Sequence, residues 1–154
     1  MENENLALLA LNIAGTQVGV KEATGHNDGP AVEKYLKSVG LGKGYPWCMA
    51  FVYWCCREAA RELNISNPLK CTGGVQDQWD SWKGEKAVTP RAGDICIMHH
   101  AGGWHTGIVS GYFQDGRIHL IEGNTNDNGS REGVEVMRKW RHIDDHSMVG
   151  FIRL

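Results

Sequence analysis

Apolar positions recur at steps of three and four residues through the first half of this chain and alternate through the second, so helices are expected first and strands afterwards. Leu6, Leu9 and Ile13, with Ala10 and Ala14 between them and Gln17 behind, form a helical stripe that ends near Gly19. A loop over 23–30 leads into a second helix over 31–37, with Asp28 or Gly29 as cap and Pro30 in the first turn. Gly40 and Gly42 stop it. A third helix opens at Cys48 and runs to about Leu63, its inward stripe being Cys48, Val52, Cys55, Ala59 and Leu63. From 71 to 89 the pattern is weak and predicts only a short helix near 75–79 and a loop.

Beyond that the period changes. Residues 90–94 are turn chemistry, and 95–98 form an apolar run of strand length. Further strands are expected over 105–112, 117–122, 134–140 and 148–153, the first two joined through Gln114-Asp115-Gly116, a hairpin signal. Helices followed by a run of strands imply an α+β fold, with N-terminal helices packed on a C-terminal antiparallel sheet. The length of 154 residues suits one domain over 1–154.

Charge and cysteine content narrow the function. A net charge of −2 shows no basic excess, so neither nucleic acid nor tight adhesion to an anionic surface is expected. Five cysteines without a CxxC, two of them adjacent at Cys55-Cys56, suit neither a disulfide framework nor a zinc knuckle, and reduced thiols are expected. The acidic start, Met1 to Asn5, lacks the positive region of a signal peptide, and no run reaches membrane-spanning length. The expectation is synthesis in the cytoplasm, with any action outside requiring release by lysis or specialised secretion.

The candidate chemistry starts at Cys48. Gly44 gives a flexible entry, Pro46 fits a first helical turn, and a thiol in that turn faces unpaired N–H groups and the positive end of the helix dipole. On periodicity alone Cys48 reads as a core residue, and the downstream partners change that. His105, Gly107 and Val109 share one strand face, with Gly107 allowing close approach. Glu122 shares parity with apolar Ile118 and Leu120, where a carboxylate needs a partner. Asn124 keeps that parity if the strand continues. With the Cys48 helix packed on this sheet, thiol, imidazole and a carboxylate or amide would form a row: nucleophile, base and orienting group. The Cys48 N–H at the helix start is a natural oxyanion donor, with a second donor from the preceding loop, for which Tyr45 is a candidate.

Other residues have simpler readings. Adjacent His99 and His100 on a strand end point to opposite faces, so at most one could join Cys96 and His105, and no metal site is expected. His26, His119, His142 and His146 read as turn, semi-buried or polar-loop residues, and Cys55, Cys56, Cys71 and Cys96 as ordinary buried or semi-buried thiols. Trp54 is expected in the core. Trp47 and Trp104 flank the proposed nucleophile and base and are expected, with Tyr45, on the substrate side.

The segments Pro46-Trp47-Cys48-Met49-Ala50-Phe51-Val52, Gly93-Asp94-Ile95, His105-Thr106-Gly107-Ile108-Val109 and Ile121-Glu122-Gly123-Asn124 together resemble the CHAP family. These are cysteine- and histidine-dependent amidohydrolase/peptidases of the papain-like clan, which cleave bacterial peptidoglycan. The resemblance implies a papain-like fold, Cys48 as nucleophile, His105 as base, Glu122 as orienting acid and Asn124 in support. Either Glu122 or Asn124 can be the group on the imidazole. It implies peptidoglycan as substrate, cut as an N-acetylmuramoyl-L-alanine amidase or an endopeptidase, by a phage lysin, a housekeeping enzyme or an antibacterial effector with an immunity protein as partner. Calcium in an Asp-rich loop before the cysteine, found in some members, is not carried over, because Lys43-Gly44-Tyr45-Pro46 stands there; no cofactor is implied. The alternatives are a thiol acyltransferase, a hydrolase of another amide, and a catalytically silent wall-binding module.

Overall fold

A computed structural model describes residues 2–125 and 133–154. Among them run α1 (Glu2–Thr16), α2 (Pro30–Ser38), α3 (Cys48–Leu63) and α4 (Val75–Ser81), followed by β1 (Lys86–Ala87), β2 (Ile95–His100), β3 (Gly103–Tyr112), β4 (Arg117–Thr125), β5 (Glu135–His142) and β6 (Met148–Ile152). The strands form one antiparallel sheet in the order β1-β6-β2-β3-β4-β5. The architecture is α+β, helices on one side and strands in sequence, as the change of period implies.

Alternation along the strands sorts two apolar sets. Ile95, Ile97, Ile108, Ile121, Val136 and Ile152 join the helices in the larger core, while Cys96, Met98, Val109, Ile118, Leu120 and Phe151 form a second cluster on the other face. α3 is buried along most of its length and packs across β3 and β4, with α1 and α2 against its flanks. Tyr35 of α2 wedges among Trp47, Phe51 and Trp54, with ring centroids 5.0–5.7 Å apart, and fixes α2 to the head of α3.

Several element ends differ from the sequence expectation, each for a local reason. α1 stops at Thr16, whose hydroxyl donates to the Ile13 carbonyl at 2.6 Å, three residues before Gly19. α2 is capped by Gly29 at φ +106°, not by Asp28. The Asp28 carboxylate instead accepts from the Thr24 N–H and hydroxyl, and Glu33 reaches back to accept from the Gly29 N–H at 2.8 Å. Pro46 lies ahead of the first turn of α3, because Trp47 is the cap residue and Cys48 the first helical position. Asn64, left-handed at φ 56°, closes α3, and the Ile65 N–H reaches the Ala60 carbonyl at 2.9 Å. β2 continues through His99 and His100 and turns tightly into β3, pairing His100 with Gly103. β1 is new; two residues are too few to show alternation, and pairing with β6 defines it. His142 ends β5 in place of lying in a loop, and Cys71 is exposed.

Candidate active site

The first turn of α3 is fixed by tertiary contacts. Trp47 has no side-chain cap to offer, and its indole is fully buried, stacked on Tyr35, with Nε1 donating to Glu22 Oε1 at 2.8 Å. This corrects its expected place in a groove: an indole enclosed on all sides presents no face to substrate. Its role is to set the turn from which Cys48 projects, and Cys48 is itself only 1% exposed. Gly123 completes the fit, since a Cβ there would sit 2.8 Å from the Trp47 ring and 2.9 Å from Phe51. Only glycine lets the end of β4 lie against the head of α3.

His105 is the third residue of β3 and stands opposite Met98. It therefore shares the face of the smaller apolar cluster, and so does Glu122, in parity with Ile118 and Leu120. The thiol meets the imidazole near the start of β3 and the end of β4, not across the middle of the helix-covered face. His105 Nε2 and Glu122 Oε1 are 2.7 Å apart, and both side chains are fully buried. Gly107 makes room for this pair: a Cβ there would fall 2.6 Å from Glu122 Cγ.

Glu122 is held from several sides. Arg141 donates through Nε to Oε2 at 2.5 Å and through an Nη to Oε1 at 2.7 Å, and the Thr125 hydroxyl donates to Oε1 at 3.2 Å. Burial works against the carboxylate, but the bonds and charges of Arg141 and His105 outweigh it and bring its pKa down to about 2. Burial likewise works against a charged His105, yet the Cys48 thiol and Glu122 outweigh it and raise its pKa to about 9. Both partners favour the imidazolium form of the ring. Its Nε2 is committed to Glu122. The buried Nδ1 has no well-aligned hydrogen-bond partner among the described residues, which leaves it as the nitrogen that faces the sulfur.

Asn124 does not continue the strand parity. The β4–β5 register slips between Glu122 and Thr125, and Asn124 turns left-handed at φ 54°. Its amide is fully buried with neither end hydrogen-bonded among the described residues, and the carboxylate of Glu122 is the group on the imidazole. Trp104 is half-buried and stacks on His99 at 4.5 Å, and Tyr45 is 53% exposed, so these two sequence candidates remain accessible.

One residue of the pair's surroundings, Arg141, has no counterpart among the sequence candidates. Arg141 lies in register with Ile118, one position beyond the strand expected over 134–140. His100 stands near His105 and Arg141; burial and those positive neighbours lower its pKa, and its Nδ1 accepts from the Gly102 N–H at 3.2 Å. Burial pushes the remaining enclosed thiols up, Cys56 to about 12 and Cys55 and Cys96 in the same direction. Among the described residues no group of three or more His, Cys, Asp or Glu side chains could hold a metal.

Taken together, a sulfur beside an imidazolium that is itself fixed by a clamped carboxylate is equipped for acyl transfer. The CHAP domain model matches residues 40–124, more than half of the chain and the span from the approach to Cys48 through Asn124, and the chain belongs to the CHAP domain family. Among solved structures, the wild-type endolysin LysIME-EF1 is similar in fold, with a TM-score of 0.54 at 19% identity. The match covers 94% of this chain and 62% of the endolysin, so the chain spans less than two thirds of that protein's length. No curated protein matches it.

Proposed function

We propose that this protein is a peptidoglycan hydrolase that cleaves an amide bond of the wall peptide, with Cys48 as nucleophile, His105 as proton carrier and Glu122 as its orienting group. The observation that carries the reading is the buried His105–Glu122 pair beside a thiol at the first position of a helix. Membership of the CHAP family and the fold shared with an endolysin favour the wall as substrate. Among the described residues no helix is long and apolar enough to cross a membrane.

The chemistry proceeds in two halves. With its thiol proton passed to His105, the Cys48 sulfur attacks the amide carbon, and the C–O electrons collect on an oxyanion near the Cys48 N–H at the helix start. Collapse of this adduct expels the amine, which takes its proton from the His105 imidazolium, and leaves a thioester. Water then attacks, giving a proton to the now neutral His105, and the acid is released as the sulfur recovers its electron pair. Glu122 keeps the ring in one orientation throughout and stabilises its charged form.

Mass spectrometry of the fragments released from purified peptidoglycan tests this reading. A free muramoyl carboxyl group identifies an amidase, and a cut stem or cross-bridge identifies an endopeptidase. Intact walls after incubation with folded, reduced protein overturn the proposal.

A further inference from the structure

Glu122 is fully buried, and an imidazolium alone would leave its second oxygen without a partner; the guanidinium of Arg141 supplies a planar two-point contact that reaches both oxygens. Arg141 stands in register with Ile118, four residues upstream of Glu122 along β4, so its side chain runs back across the strand to make that contact. We propose that Arg141 is the positioning residue of the site: its fork keeps Glu122 ionised and turns one oxygen toward His105 Nε2. This rests on the reading of His105 as the proton carrier.

The charges around Glu122 support the assignment. β3 contributes His105, β5 contributes Arg141 and β2 contributes Cys96, while His100 at the end of β2 faces His105 and Arg141. Among the described residues β4 adds the Thr125 hydroxyl, Cys48 of α3 lies beyond His105, and Asp145 of the β5–β6 turn faces Arg141 and His100. Of these, Arg141 alone is a permanent cation in direct contact with the carboxylate. His105 must exchange protons during turnover, so the positive charge it offers Glu122 comes and goes. Arg141 holds Glu122 ionised during the steps in which the imidazole is neutral.

The deciding measurement is a carbon-13 carboxyl titration of Glu122 between pH 3 and about 7, assigned with Glu122→Gln, in wild type, Arg141→Met and Arg141→Lys. Wild type is expected to show no midpoint above the lower end of that range. In Arg141→Met the midpoint climbs by about 1–3 pH units, and the acid limb of wall clearance climbs with it. Arg141→Lys keeps the charge but loses the fork, and its midpoint moves by a smaller amount in the same direction. Should Arg141→Met fail to fold, Arg141→Lys decides alone. A folded variant whose Glu122 titrates as in wild type overturns the proposal and leaves Arg141 a strand-to-strand tie, whose loss would move only the melting temperature. The titration needs no turnover, so failure of wild type to clear walls counts against the functional reading and leaves this result standing.

Discussion

Two buried carboxylates, Asp94 and Glu122, are each gripped by an arginine with two nitrogens, yet only one belongs to a site. Asp94, just before β2, takes Arg153 Nε at 3.0 Å and an Nη at 2.6 Å, and the Arg91 N–H at 2.9 Å. Arg153 also donates to the Thr89 carbonyl, so this pair fastens the C-terminal strand to the turn before β2. Glu122, two strands away on β4, has the same arginine fork, but its third strong partner is an imidazole, which gains and loses protons. A carboxylate closed off by a backbone N–H and a permanent cation is a fastening. Replace the backbone N–H with a histidine next to a thiol, and the same fork supports chemistry.

Breaking the two forks separately sharpens the contrast. The largest effect is expected at the reacting atom: Cys48→Ala lowers wall clearance by about 10³-fold or more, with a melting temperature close to that of wild type. Residual clearance near the wild-type level would remove Cys48 from the chemistry. Next, Arg153→Met strands Asp94 and costs about 3 kcal/mol of stability, read from the urea midpoint, while the alkylation rate of Cys48 in the folded protein stays unchanged. A slowed alkylation would show that the two forks are not independent.

The pH dependence follows from the direction of each shift. His105 has its pKa raised from 6.5 to about 9, so its contribution to stability is complete below pH 6.5 and disappears as pH rises through 9. Glu122 is lowered from 4.5 to about 2, so its contribution is complete above pH 4.5 and disappears as pH falls through 2. The site is therefore expected to stabilise the fold most between those ordinary values, and His105→Gln should flatten the decline in melting temperature between pH 6.5 and 9. Parallel curves for variant and wild type would mean that no imidazolium is held there. The smallest effect on activity is assigned to Trp47→Phe, which removes one hydrogen bond to Glu22 and part of a fully buried ring, about 1–3 kcal/mol of stability. It should leave KM for wall fragments unchanged; a raised KM at unaltered stability would return the indole to the substrate side.

Much of this was legible in the sequence because it depends on period. The three-and-four steps of α1 to α3 and the alternation of β2 to β6 reflect which face is buried, and burial is what the pattern records. That Glu122 needs a partner was readable because a carboxylate at an apolar parity demands one, but its place on His105 in preference to Asn124 was not. What escaped depended on geometry without period. Trp47 looks like a loop aromatic until Tyr35 and Glu22 enclose it. Asn124 leaves its parity because the ladder slips at that point. Arg141 sits where a strand is about to end, and no local signal tells which carboxylate a long side chain will cross a strand to reach.

The Trp47–Glu22 bond has a consequence for how the thiol acquires its surroundings. Glu22 is tied through its backbone N–H to the Val134 carbonyl at 2.9 Å, just before β5, as well as through its side chain to the indole. One residue thus links the segment after α1, the head of α3 and the approach to β5. A peptide spanning 44–63 could wind into the helix and carry the cysteine, but nothing in it would aim the sulfur at an imidazole some sixty residues further along. The surroundings of the Cys48 sulfur thus draw on β3, β4 and β5, and a segment that lacks those strands carries the thiol without its imidazole.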